Sequence, residues 1–116
     1  MAIYTYQIGQ YRRLMDRGVV LVDSTVKSGH VQLAPTWDIV MGVKKGHITE
    51  AQYTEQYLRL LDYYWFNSPD FFEELLQIPN FAIGCYCTPG KFCHRHILAK
   101  FLSRVSHHTI EGELLP

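Results

Sequence analysis

The residues richest in chemistry lie between 85 and 100: Cys85, Cys87, Lys91, Cys93, His94, Arg95, His96 and Lys100. A thiol, an imidazole and a guanidinium are consecutive at 93, 94 and 95. Four chemistries fit this set. In the first, Lys91 and Arg95 join the free amides of a helix start to hold a phosphate- or sulfate-like anion. An arginine fork grips two oxygens at once. In the second, a thiol activated by the helix start and neighbouring cations is a nucleophile. Cys93 or Cys87 fills that role, with His94 as acid or base. The phosphatase spacing of a cysteine followed six residues later by arginine is not met. That position holds Cys93 after Cys87 and Lys91 after Cys85. In the third, Cys85 and Cys87 share a strand face, and Cys93 with His94 or His96 completes a metal set. The C-x-C-x5-C-H pattern is not a standard zinc spacing, so no metal and no cofactor is assigned. In the fourth, the cysteines are small core hydrophobes and His94 a satisfied core histidine. The anion pocket is the preferred reading, and catalysis by Cys93 and His94 comes second.

The elements around this set follow from patterning. Residues 81–87 form a short apolar run of the kind that makes a buried strand. Thr88-Pro89-Gly90 reads as a turn. From Lys91 on, Ile97, Leu98, Phe101, Leu102 and Val105 recur at helical spacing. At about 100° per residue, His94 falls in line with the apolar face, with Arg95 and Cys93 on its borders. His96, Lys100 and Arg104 turn to solvent.

A second candidate wall precedes this one. Residues 19–22 are β-branched and apolar, end at Asp23, and read as an interior parallel strand. The loop that follows, Ser24-Thr25-Val26-Lys27-Ser28-Gly29-His30, is hydroxyl-rich. Ligands of open α/β sheets bind at such carboxyl-end loops. The loop lacks the Walker spacing.

Elsewhere, residues 2–5 read as a first strand and 6–17 as a helix closed by Gly18. Thr36 caps a short helix that carries Trp37, a residue more often core than ligand platform. Lys44 and Lys45 sit in a turn as solvated charges. Thr49 and Gln52 have capping-box spacing. They open a helix to about 65 whose stripe is Tyr53, Tyr57, Leu60, Leu61 and Tyr64. Ser68 and Pro69 start a further helix that runs to about Gln77. Residues 107–113 read as a final edge strand. The order is β-α-β, a helical insertion, then β-α-β.

Composition bounds the rest. A chain of 116 residues, 47% hydrophobic and 14% aromatic, suits one folded domain over 1–116. Lys+Arg and Asp+Glu are 11 each, which leaves no basic footprint for strong nucleic-acid binding. No apolar run reaches membrane-spanning length, and residues 1–20 do not read as a signal peptide. Three cysteines crowded into 85–93 do not make a secreted disulfide framework, so a reducing, cytoplasmic setting is expected.

The strand-borne cysteine followed by Cys93-His94-Arg95, together with Val22-Asp23, resembles a known group. It is similar to the small α/β proteins of bacteria and phages classed as domain of unknown function 488, which include the YeaO-like proteins. Many of those carry an arginine two residues after the aspartate, where this chain has Thr25. A narrower subgroup shares Asp-Ser-Thr-Val-Lys-Ser-Gly at 23–29 and Pro-Thr-Trp-Asp at 35–38. It also shares Gly-x-Ile-Thr-x-x-x-Tyr at 46–53 and Gly-Glu at 112–113. The resemblance implies the fold and carries no assigned activity.

The expectation is a three-layer α/β/α domain with a small, mostly parallel, Rossmann- or flavodoxin-like sheet of about four strands. The helical insertion lies between strands 2 and 3. Its pocket has Asp23, Ser24, Thr25, Lys27 and Ser28 on one wall. Cys87, Lys91, Cys93, His94 and Arg95 form the other, with Lys27 and Arg95 facing a common hollow. Trp37 or a tyrosine of helix 49–65 covers a flat ring. The expected ligand is a small anionic or nucleotide-like molecule, and in a phage setting a host immune signalling nucleotide held out of circulation. The alternatives are a thiol- or histidine-dependent hydrolase or transferase and a protein-interaction module. Homo-oligomerisation is left open.

Overall fold

A computed structural model of the chain describes residues 1–87 and 91–116. The turn expected at Thr88-Pro89-Gly90 lies outside the described residues. The sheet has four strands: β1 (Ala2–Gln7), β2 (Val20–Asp23), β3 (Asn80–Cys85) and β4 (Thr109–Glu113). They lie in the order β2-β3-β1-β4, and every pairing is parallel. The helices are α1 (Tyr11–Leu14), α2 (Trp37–Lys44), α3 (Glu50–Asn67), α4 (Pro69–Leu76) and α5 (His94–Arg104). Among the described residues no helix is long and apolar enough to cross a membrane.

The period-2 alternation of the strands sorts side chains to two faces. Ile3, Val22, Phe81 and Ile83 point to the larger core, where they meet Ile39, Tyr57, Leu61, Phe72, Leu98 and Leu102 from α2 to α5. Tyr6 and Ala82 point to the other face, covered by Leu14 and Ile8. The three layers are therefore unequal. The connection from β1 to β2 crosses the sheet in one direction over the smaller face. Those from β2 to β3 and from β3 to β4 cross in the opposite direction over the larger face. Direction and face reverse together, so all three crossovers share one hand, as parallel connections require.

Several local readings change. The helix expected over 6–17 shrinks to α1 and a preceding 3₁₀ turn, Ile8–Gln10. The residues from 6 extend β1, because Tyr6 and Gln7 pair with Gly84 and Cys85. β2 is an edge strand, not an interior one, and Val20 is half exposed. An apolar run is needed to pack both faces, but it does not say where in the sheet the strand falls. Four residues is also short enough to limit the open edge.

Two of the three expected caps form; Ser68 stands at the N-cap of α4, with Pro69 next, but its side chain makes no capping hydrogen bond. Thr36 accepts from the Ile39 amide. Thr49 and Gln52 make the reciprocal capping box, at 3.1 and 2.8 Å.

Candidate functional site

The site is built where β2 and β3 end side by side. After β2 the chain folds into a closed loop. The Asp23 carboxylate accepts from the Thr25 amide and hydroxyl at 2.8 and 2.7 Å and from the Ser28 hydroxyl at 2.7 Å. Burial alone would raise this carboxyl's pKa. The hydrogen bonds from Ser28 and Thr25 outweigh it and hold the group below its ordinary value. The amides of Gly29 and His30 donate back to the carbonyls of Thr25 and Asp23. A β-carbon at Gly29 would lie 2.5 to 2.7 Å from that same backbone, so the loop closes only with glycine there. Asp23 and Ser28, expected on the ligand wall, are thus committed to holding the loop.

Ser24 is fully buried and joins the two strand ends. Its hydroxyl donates to the Gly84 carbonyl at 2.8 Å, and its own carbonyl accepts from His94 Nε2 at 2.8 Å. That acceptor fixes the His94 tautomer with hydrogen on Nε2 and a lone pair on Nδ1. Nδ1 lies 3.8 Å from Cys93 Sγ. The ring stands edge-on to Tyr57, 5.7 Å between centroids. Burial pushes the His94 pKa down to about 4, against the Ser24 hydrogen bond and with Arg95 adding to the fall. The imidazole is neutral at pH 7. α5 begins at His94, with Cys93 as its cap, and not at Lys91.

Arg95 corrects an expectation. Its side chain is fully buried and does not face the cavity that Lys27 lines. Nη2 and Nε pair with the two carboxylate oxygens of Glu113, at 2.9 and 3.3 Å. Nη1 donates to Cys85 Sγ at 2.9 Å and to the Cys87 carbonyl at 2.8 Å. With every donor arm committed, the guanidinium has no fork left for a phosphate. Its place on the border of the helical face is as expected. Its partner lies on β4, where no local pattern in the sequence points.

Beneath these groups Cys85 and Cys93 bring their sulfurs into direct contact, although their Cα atoms are 7.7 Å apart. Ordinary disulfides span roughly 4.4–6.8 Å between Cα atoms. The pair reads as two thiols converging on one point, not as a staple. Cys87 is free and half-buried, outside that convergence.

A cavity of about 260 Å³ opens over this floor. Cys85, Cys87, Cys93, His94 and Thr25 form its base, and Val26, Val40 and Val43 its side. Trp37, Tyr53, Tyr86 and Phe92 supply aromatic surface, and Lys27 and Lys44 stand exposed at the rim. Of the expected residues, Thr25, Lys27, Trp37, Cys87, Cys93 and His94 meet here. Lys91 is exposed and does not line the cavity. Trp37 is more than half exposed, so it is no core residue. Lys44 comes from a stretch that reads as plain solvated charge, and no local pattern in the sequence marks Tyr86 or Phe92. The Gly-Glu pair at 112–113 was the one trace of Glu113 in the sequence.

No curated protein and no solved structure matches the chain. A family model described as the active DUF488-N3 subclade matches residues 3–106. The chain, with its Cys-His-Arg helix start and parallel four-stranded sheet, belongs to the DUF488 family.

Proposed function

We propose that the protein binds a small nucleotide-type ligand, with the ring over the Cys93–His94 floor and an anionic group at the rim. The observation that carries this reading is the make-up of the cavity. Trp37, Tyr86 and Phe92 are large aromatics left exposed around one hollow, with Lys27 and Lys44 beside them. Soluble domains rarely leave such apolar surface clustered without a use. At about 260 Å³ the hollow falls just below the ~300 Å³ at which small-ligand sites begin. It fits one base-sized ring, not a dinucleotide, and leaves phosphates at the mouth beside the lysines. With Arg95 committed to Glu113, the lysines carry the charge recognition.

A thermal-shift panel of nucleotides and sugar phosphates tests this, read together with tryptophan fluorescence in a Trp65→Phe background that leaves Trp37 as the emitter. A ligand at a hundredfold its Kd adds about 2.7 kcal/mol, a rise of about 10 °C in Tm for a domain of this size. Lys27→Ala with Lys44→Ala weakens binding and raises its Kd. No shift and no fluorescence change with any member of the panel would reject the reading in favour of a protein-interaction surface.

One observation favours catalysis on the same ligand. His94 presents its lone pair toward Cys93 Sγ while Ser24 orients the ring, the arrangement of a thiol, its base and an orienting group. The family description as an active subclade points the same way. Ligand recovered intact after denaturation marks a binding module, and in a phage setting a sink for a host signalling nucleotide. Altered ligand, with the alteration lost in Cys93→Ser, marks a hydrolase or transferase.

A further inference from the structure

We infer that Cys85, Cys93 and His94 form a three-ligand site for a divalent metal of zinc type, with the fourth coordination position open to the cavity. Cys85 is the last residue of β3, Cys93 caps α5 and His94 begins it. One ligand atom from each lies within 4.8 Å of the others, and all three residues are buried. Two thiolates and an imidazole with one open position is a recognised catalytic zinc set.

The distances suit an ion. Zinc–sulfur and zinc–nitrogen bonds of ~2.3 and ~2.0 Å at a tetrahedral angle put sulfur and nitrogen about 3.6 Å apart. Cys93 Sγ and His94 Nδ1 are 3.8 Å apart. The 7.7 Å between the Cα atoms of Cys85 and Cys93 is wider than a disulfide spans, so side-chain rotation that parts the touching sulfurs admits an ion between them.

The outer contacts are those that metal ligands carry. His94 gives its other ring N–H to the Ser24 carbonyl, which aims Nδ1 and fixes the tautomer. Arg95 donates to Cys85 Sγ, as to a thiolate, and Glu113 cancels the guanidinium's charge beside the ion. Cys87 follows the strand end and stands outside the cluster. Of the four ligands that the C-x-C-x5-C-H spacing offers, Cys85, Cys93 and His94 converge and Cys87 does not. Binding releases the two thiol protons to solvent and leaves a neutral ion–dithiolate unit. A group in the fourth position would be polarised by the ion. The metal site does not depend on the nucleotide reading.

The test uses the full chain, reduced with a phosphine and titrated with cobalt(II) as a spectroscopic stand-in for zinc. Thiolate-to-cobalt charge transfer and tetrahedral d–d bands should saturate at one ion per chain and be displaced by zinc. Cys93→Ser and Cys85→Ser should abolish the charge-transfer band, and Cys87→Ser should keep it. Because a floor variant can fail to fold, the unmodified chain is also alkylated with and without zinc and mapped by peptide mass spectrometry. Zinc should protect Cys85 and Cys93 and leave Cys87 open. No band in the reduced wild-type chain, protection of Cys87 instead, or equal alkylation with and without zinc would overturn the assignment. Nucleotide binding measured in parallel after chelation separates the two proposals. Its loss or survival leaves the cobalt result unaffected.

Discussion

Arg95 carries the clearest consequences at the level of single side chains. It is a fully buried charge whose counter-ion, Glu113, is itself mostly buried. Removing one member of such a pair is costly because the other is left uncompensated in a low-dielectric setting. Glu113→Gln should lower stability by about 3 kcal/mol, measured by urea unfolding. Arg95→Met should cost less than Arg95→Ala, since it keeps volume while removing the charge. Asp23 sets a pH dependence. Its folded pKa is depressed, so its stabilisation is present above the ordinary aspartate value. It is lost as pH falls through the folded one. Urea midpoints followed from neutral to strongly acid pH should show that loss, and Asp23→Asn should remove it. The chemistry-bearing types at 93–95 could be read from sequence because residue type and helical phase are local properties. The use made of Arg95 could not, because Glu113 approaches it only through the sheet pairing of β4 with β1.

Among the elements, loop 24–30 and helix α3 make a useful contrast. Gly29 has no space for a side chain against the Thr25 and Asp23 backbone. Gly29→Ala should therefore deform the loop that holds Ser24 and Lys27, costing about 1–3 kcal/mol as overpacking does and weakening any ligand of the cavity. Thr49→Ala removes half of the capping box of α3 at a cost of about 1 kcal/mol. It should leave ligand binding unchanged once stability is accounted for, because Thr49 is exposed and does not line the cavity. Ligand Kd measured beside Tm separates the two outcomes. α3 was legible because its capping box and apolar stripe agree, α4 because Pro69 marks its first turn, and α5 because its apolar residues recur at helical spacing. The segment from 6 to 17 was not, since its apolar spacing fits a helix while its first residues gain more from pairing with β3. The edge position of β2 is likewise absent from any local pattern, because strand order is decided by connections and not by the run itself.

Across the whole molecule, the parallel sheet places distant segments together. β1 pairs with both β3 and β4, and Thr5 bonds Glu113 across 108 positions of chain. Such long-range pairing closes slowly. Refolding from urea should fall in the millisecond-to-second range, with no element stable alone. Deleting residues 109–116 should abolish the cooperative transition seen by far-UV circular dichroism. The four parallel strands and the helical insertion followed from the order of apolar runs, but β4's place beside β1 did not. That placement has a consequence during synthesis. Cys85, Cys93 and His94 leave the ribosome before the carboxylate that neutralises Arg95 does. A nascent chain passes through a stage with its thiols exposed to solvent and a bare guanidinium among them, and only the emergence of β4 closes that window.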